Sequence, residues 1–175
     1  MKRSSCLLFG VIVLFMISSC DENRHPQNYN LIPDTASISF IHSGLEAGQS
    51  EIKASEIATV NSKNQHIIGF AKMMVADHSQ ASDELQNIAI NNKVTGGDSV
   101  STDHQKAIAN LKTLSGSAFD KAYIQMMVTD HQKIIELFTK AKTYKLETIQ
   151  NFVQKVLPTL KVHLDSANAI CATLK

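Results

Sequence analysis

The sequence predicts an all-α protein, an up-down bundle of four long helices with a short extra helix between the second and third. Three observations predict it. Apolar residues recur at spacings of three and four along four long stretches, the period of helices with one buried face. No stretch alternates with the period of two that a half-buried strand requires. Glycine (7) and proline (3) are scarce in a chain of 175 residues, which disfavours a turn-rich sandwich.

Each element has its own warrant. The first helix is expected over about Thr35–Val60, capped by Asp34 or Thr35, with Ile38, Ile41, Leu45 and Ile52 on one stripe. Beside that stripe runs a mostly small one that includes Gly44, Ala47 and Glu51. The second helix spans about Asn64–Asn91, and Ile67, Ala71, Met74, His78, Ala81, Leu85 and Ile88 form its seam. Residues 91–102, with Gly96-Gly97 and several hydroxyl side chains, read as a loop. A short helix follows over about Asp103–Leu114. The third long helix covers about Ser117–Thr143 and carries Phe119, Tyr123, Met126, Asp130 and Ile134 on one stripe, with Met127 and His131 on the next. The fourth covers about Leu146–Leu174, with His163 on the shoulder of its seam. Pro158 falls inside it and is expected to kink or split it, because proline lacks a backbone donor and clashes one turn back.

Ahead of the bundle (34–175) two other segments are expected. Residues 1–19 have the shape of a secretory signal: Lys2 and Arg3, an apolar run from Leu7 to Ile17, then small residues before Cys20. Ile17-Ser18-Ser19-Cys20 resembles a bacterial lipobox, in which the cysteine is lipidated. This implies a membrane anchor at Cys20, a polar tether over 20–33, and a periplasm-facing lipoprotein of the cell envelope, at the outer membrane. Of the three cysteines only Cys171 then remains, so no internal disulfide is expected. Removing Lys2 and Arg3 takes the formal net charge from +1 to −1, and a near-neutral chain without a basic block excludes nucleic acid as a main partner.

The chemistry lies in a repeat. Met73-Met74-Val75-Ala76-Asp77-His78 returns as Met126-Met127-Val128-Thr129-Asp130-His131. Both copies set a histidine on or beside an apolar stripe, and Glu51 and His163 lie on comparable faces. Unpaired buried charge is costly, so these groups should meet each other or a metal. Adjacent residues on a helix diverge by about 100°, so Asp77 cannot orient His78. A crossed arrangement is expected instead, with Asp77 near His131 and Asp130 near His78. Three readings are open. The cluster is a polar layer that fixes register; or it binds Fe, Mn or Zn through Glu51, His78, His131 and His163, backed by Asp77 and Asp130; or it binds Cu with Met73, Met74, Met126 and Met127. His25, His42, His66 and His104 are expected in solvent. No phosphate-binding glycine loop or nucleophile elbow occurs.

Three motifs carry a family resemblance: Phe70-Ala71-x-x-Met74-Val75-x-Asp77-His78; Phe119-Asp120 followed by Met126-Met127-Val128-x-Asp130-His131; and Leu157-Pro158-Thr159-Leu160-x-x-His163-Leu164. Together they resemble the DUF4142 family of exported bacterial proteins. The resemblance implies a ferritin-like helical bundle of no established activity and singles out Glu51, Asp77, His78, Asp120, Asp130, His131 and His163. The Met-Met-x-x-Asp-His pieces are also similar to the Met-x-x-His-His pieces of DUF305, an exported family linked to copper, with Asp in place of the first histidine. The expected role is binding or structural, and a ferritin-like metal-dependent oxidoreductase is the alternative. Di-iron bundles use a Glu on two helices and Glu-x-x-His on the other two. Here only Glu51 is a clear bridging carboxylate, since Glu147 and Asp165 lie off the matching level.

Overall fold

The computed structural model describes residues 32–97 and 99–174. The expected signal, Cys20 and the tether as far as residue 31 lie outside the described residues. Among the described residues five helices form: α1 Thr35–Asn61, α2 Gln65–Asn91, α3 Thr102–Thr113, α4 Gly116–Ala141 and α5 Glu147–Thr173. No strand occurs among the described residues. Local chemistry sets the starts. Asp34 accepts from the Ser37 backbone at 2.8 Å, Asn64 from His66 at 3.0 Å and Ser101 from His104 at 3.3 Å. Pro158 does not split α5, which continues across it. Both Pro158 and Gln154, whose carbonyl the proline leaves without a donor, are exposed, so water can satisfy that carbonyl.

Paired contacts give the helix directions. Along α1, residues 44, 48 and 51 meet 85, 82 and 78 of α2. Residues 40, 55 and 62 of the α1 side meet 138, 123 and 120 of α4. Both α2 and α4 therefore run antiparallel to α1 and parallel to each other. On α5, residues 155 and 163 meet 84 and 77 of α2, so α5 runs with α1. The expected up-down path holds within the α1–α2 and α4–α5 hairpins and not between them. The 92–115 connection, which carries α3, returns along the bundle and packs α3 on α1 and α4. Helix α1 packs on α2 and α4, and α5 packs on the same two, so α2 and α4 sit diagonally.

The core has two apolar parts. One gathers Phe40, Leu45, Leu85, Phe138, Phe152 and Leu160; the other gathers Ala54, Phe70, Met74, Tyr123, Met127 and Ala167. On every long helix the break between them falls at one level, at Glu51, His78, His131 and His163. Close approach of α1 and α2 fixes that level. A Cβ on Gly44 would lie 2.7 Å from Leu85, and one on Gly48 would lie 2.6 Å from the Ser82 hydroxyl. A larger residue at either position would force the facing Leu85 or Ser82 side chain to move.

Candidate metal centre

Each long helix contributes one buried polar side chain to this layer. Exposure is 1% for Glu51, 5% for His78, 0% for His131 and 1% for His163. The three imidazoles surround a common point, with ring centroids 5.2–5.4 Å apart. One ring nitrogen from each lies within 4.8 Å of those of the other two.

Outer partners fix the protons. His163 Nε2 lies 2.9 Å from Asp77 Oδ2 and donates to that carboxylate. The Nδ1 of His131 donates to the Met127 carbonyl at 2.9 Å. That leaves Glu51 Oε1, only 3.1 Å away, without a hydrogen bond. His78 presents Nδ1 to Glu51 Oε2 at 3.1 Å. The nitrogens left over are His78 Nε2, His131 Nε2 and His163 Nδ1. With these tautomers each is a bare lone pair. His131 Nε2 and His163 Nδ1 face each other at 3.4 Å, and a second proton on His131 would lie between them. His78 Nε2 is buried without a partner. Leaving a buried polar atom unmet costs about 1–3 kcal/mol. Two nitrogens each roughly 2.1 Å from a tetrahedral ion stand roughly 3.4 Å apart.

The electrostatics divide the cluster. Burial pushes His78 down to about 4 and also lowers His163, so both are neutral and ready to ligate at neutral pH. Burial also opposes the charged form of Glu51, but the charges of His78 and His131 outweigh it and hold its carboxyl below the usual value. In the same way Glu51 overcomes burial at His131 and raises it. A proton taken up there goes to Nε2, between the rings, where a cation would replace it.

The structure brings together Glu51, His78, His131 and His163 as expected, and corrects the aspartates. The crossed arrangement does not form, because α2 and α4 are parallel and diagonal rather than an antiparallel pair. Asp77 turns to His163 on α5. Asp130 turns away from the layer, with Oδ2 3.5 Å from His104 Nε2 and Oδ1 3.6 Å from Lys133. His104 is not a solvated histidine: its Nδ1 lies 2.6 Å from Glu46, which also accepts from the Ser101 backbone. Burial disfavours its charge, yet Glu46 and Asp130 raise its pKa. This clamp of α3 on α1 and α4 was not legible, because it depends on which way the crossover runs. Asp120 accepts from Ser62 at 2.6 Å and ties the end of α1 to the start of α4, apart from the histidines. Met74 and Met127 are fully buried in an apolar cluster, with Met73 and Met126 packed at its edge.

A family model described as "Domain of unknown function (DUF4142)" matches residues 25–170. No curated protein matches. Among solved structures, a DUF305 fragment from Deinococcus radiodurans superposes with a TM-score of 0.73 over 81% of this chain and 99% of that one, at 11% identity. That identity supports a shared fold and nothing finer.

Proposed function

The chain belongs to the DUF4142 family, and we propose that this protein binds one transition-metal ion in its core through His78, His131 and His163. The observation that carries the reading is the set of three buried imidazoles, each with a carboxylate or carbonyl at one ring nitrogen and with one nitrogen within 4.8 Å of those of the other two. Metal-bound histidines are oriented by outer partners of this kind. Asp77, Met127 and Glu51 fill that role for His163, His131 and His78. Glu51 also brings a negative charge to the layer, beside His78 and His131. Three imidazole nitrogens suit Zn²⁺ and also fit Cu or Fe, whereas the hard ion Mn prefers more oxygen. A di-iron oxidoreductase is disfavoured, because among the described residues Glu51 is the only carboxylate buried in this layer. The site is tested by elemental analysis of untagged protein prepared without chelator. About one zinc per chain is expected, and a metal-free protein that takes up none on titration would refute it.

The frame reads as ferritin-like. A single long crossover between two helical hairpins is the feature that separates such bundles from simple up-down ones. We also read the protein as anchored in the bacterial envelope by a lipid on Cys20, facing the periplasm from the outer membrane. The small residues before Cys20 support this, and no helix among the described residues is long and apolar enough to cross a membrane. Cys20→Ala is expected to move the protein from the membrane to the soluble fraction on cell fractionation. Retention in the membrane would exclude the anchor.

A further inference from the structure

An ion has to cross the packed bundle to reach these buried nitrogens, and two cavities mark a route. The inner one, about 20 Å³, is bordered by Glu51, His78 and Ser82 among mostly apolar side chains, and it is large enough for about one water. The outer one, about 100 Å³, lies at the surface between α2 and α5 and is lined by Asp77, Gln80, Glu84, Lys155 and Thr159. Ala81 and Val156 belong to the walls of both. Asp77 joins the outer cavity to the site: its side chain is 41% exposed, yet its carboxylate holds His163. The other carboxylate there, Glu84, is already paired with Lys155 at 2.6 Å. The charge left for an incoming cation is that of Asp77.

We propose that the two cavities are one access path for a divalent cation, captured at Asp77 and admitted between Ala81 and Val156 to the inner cavity beside His78. The path rests on the metal-binding reading of the site and adds a capture point and a gate to it. Negative charge at the mouth of a cleft raises the capture rate of cations. A partition formed by one methyl group and one valine is thin and is set by a single side chain. A gate residue acts on the barrier, so it changes entry and escape together and leaves the equilibrium alone.

The test is stopped-flow uptake of Co²⁺, followed by its visible absorption, with chelator-driven release, on the full chain in detergent. Val156→Ala is expected to raise kon and koff together by roughly tenfold with Kd unchanged, and Val156→Phe to lower both by a similar factor. Asp77→Asn should lower kon by roughly tenfold. Val162→Ala, at an exposed position of the same helix, should change neither rate. Circular dichroism confirms that each variant is folded. Folded Val156→Ala with parental rates, or with koff alone altered, would overturn the path and leave the metal site standing. A parent chain that takes up no Co²⁺ would overturn the site, and the path with it.

Discussion

His131→Gln is expected to bind Zn²⁺ at least about 100-fold more weakly than the parent chain. Disturbing only the outer partner of a metal-bound histidine typically costs 10–100-fold, so losing a ligand sets a larger floor. His131 is chosen because its Nε2 stands opposite His163 Nδ1 at 3.4 Å, the spacing that one ion would bridge. Glutamine keeps much of the volume and polarity, so the layer still fills while the imidazole lone pair is gone. Asp77→Asn is a graded companion: it keeps the shape and loses the charge that fixes the proton of His163, and roughly a tenfold to 100-fold loss is expected. Competition against a chromophoric zinc chelator measures both, with circular dichroism to verify the fold. A layer that only fixed helix register would respond differently, since both variants would alter stability and neither would alter zinc affinity. Parental affinity in His131→Gln would decide for that plainer role.

The helices were readable because their signals are local: a period of three and four, a cap at Asp34, a loop at Gly96-Gly97. The buried layer was readable too, since Glu51, His78 and His131 each interrupt or flank an apolar stripe. The direction of α4 was not. Nothing in residues 92–115 states whether that segment turns back at once or crosses the length of the bundle. That one choice decides what each aspartate meets. Asp77 and Asp130 occupy the same place in the same repeated motif, and a dyad would have made them equivalent. In parallel, diagonal helices the face one step from the histidine looks toward α5 in one copy and toward α3 in the other. Asp77 therefore holds His163, while Asp130 joins His104. The tautomers that expose three lone pairs depend on these same tertiary partners, one of them the backbone carbonyl of Met127, which no side-chain pattern encodes.

Acid is expected to destabilise the metal-free protein as pH falls from 6.5 to about 4, by about 3 kcal/mol through His78 alone. Burial holds His78 neutral in the folded state down to about 4, whereas in the unfolded chain it takes a proton near 6.5. Between those values the unfolded state binds more protons, so its contribution to stability is complete above 6.5 and is lost as pH falls through the window. His163, also lowered by burial, acts in the same direction. His131 acts in the opposite one, because its raised pKa adds stability on the acid side that is lost as pH rises through its folded value. Glu51, held low by its histidine neighbours, adds a further loss as pH falls from the ordinary carboxyl value toward its lower folded one. The net slope therefore follows His78 and His163, tempered by His131. Urea denaturation across the window measures it, and His78→Asn should flatten the profile by removing the largest contributor. Zinc should steepen it, because protons and metal compete for the same lone pairs. An unchanged slope in His78→Asn would mean that the buried imidazole already carries its proton in the folded state. That would contradict the bare Nε2 on which the metal centre rests.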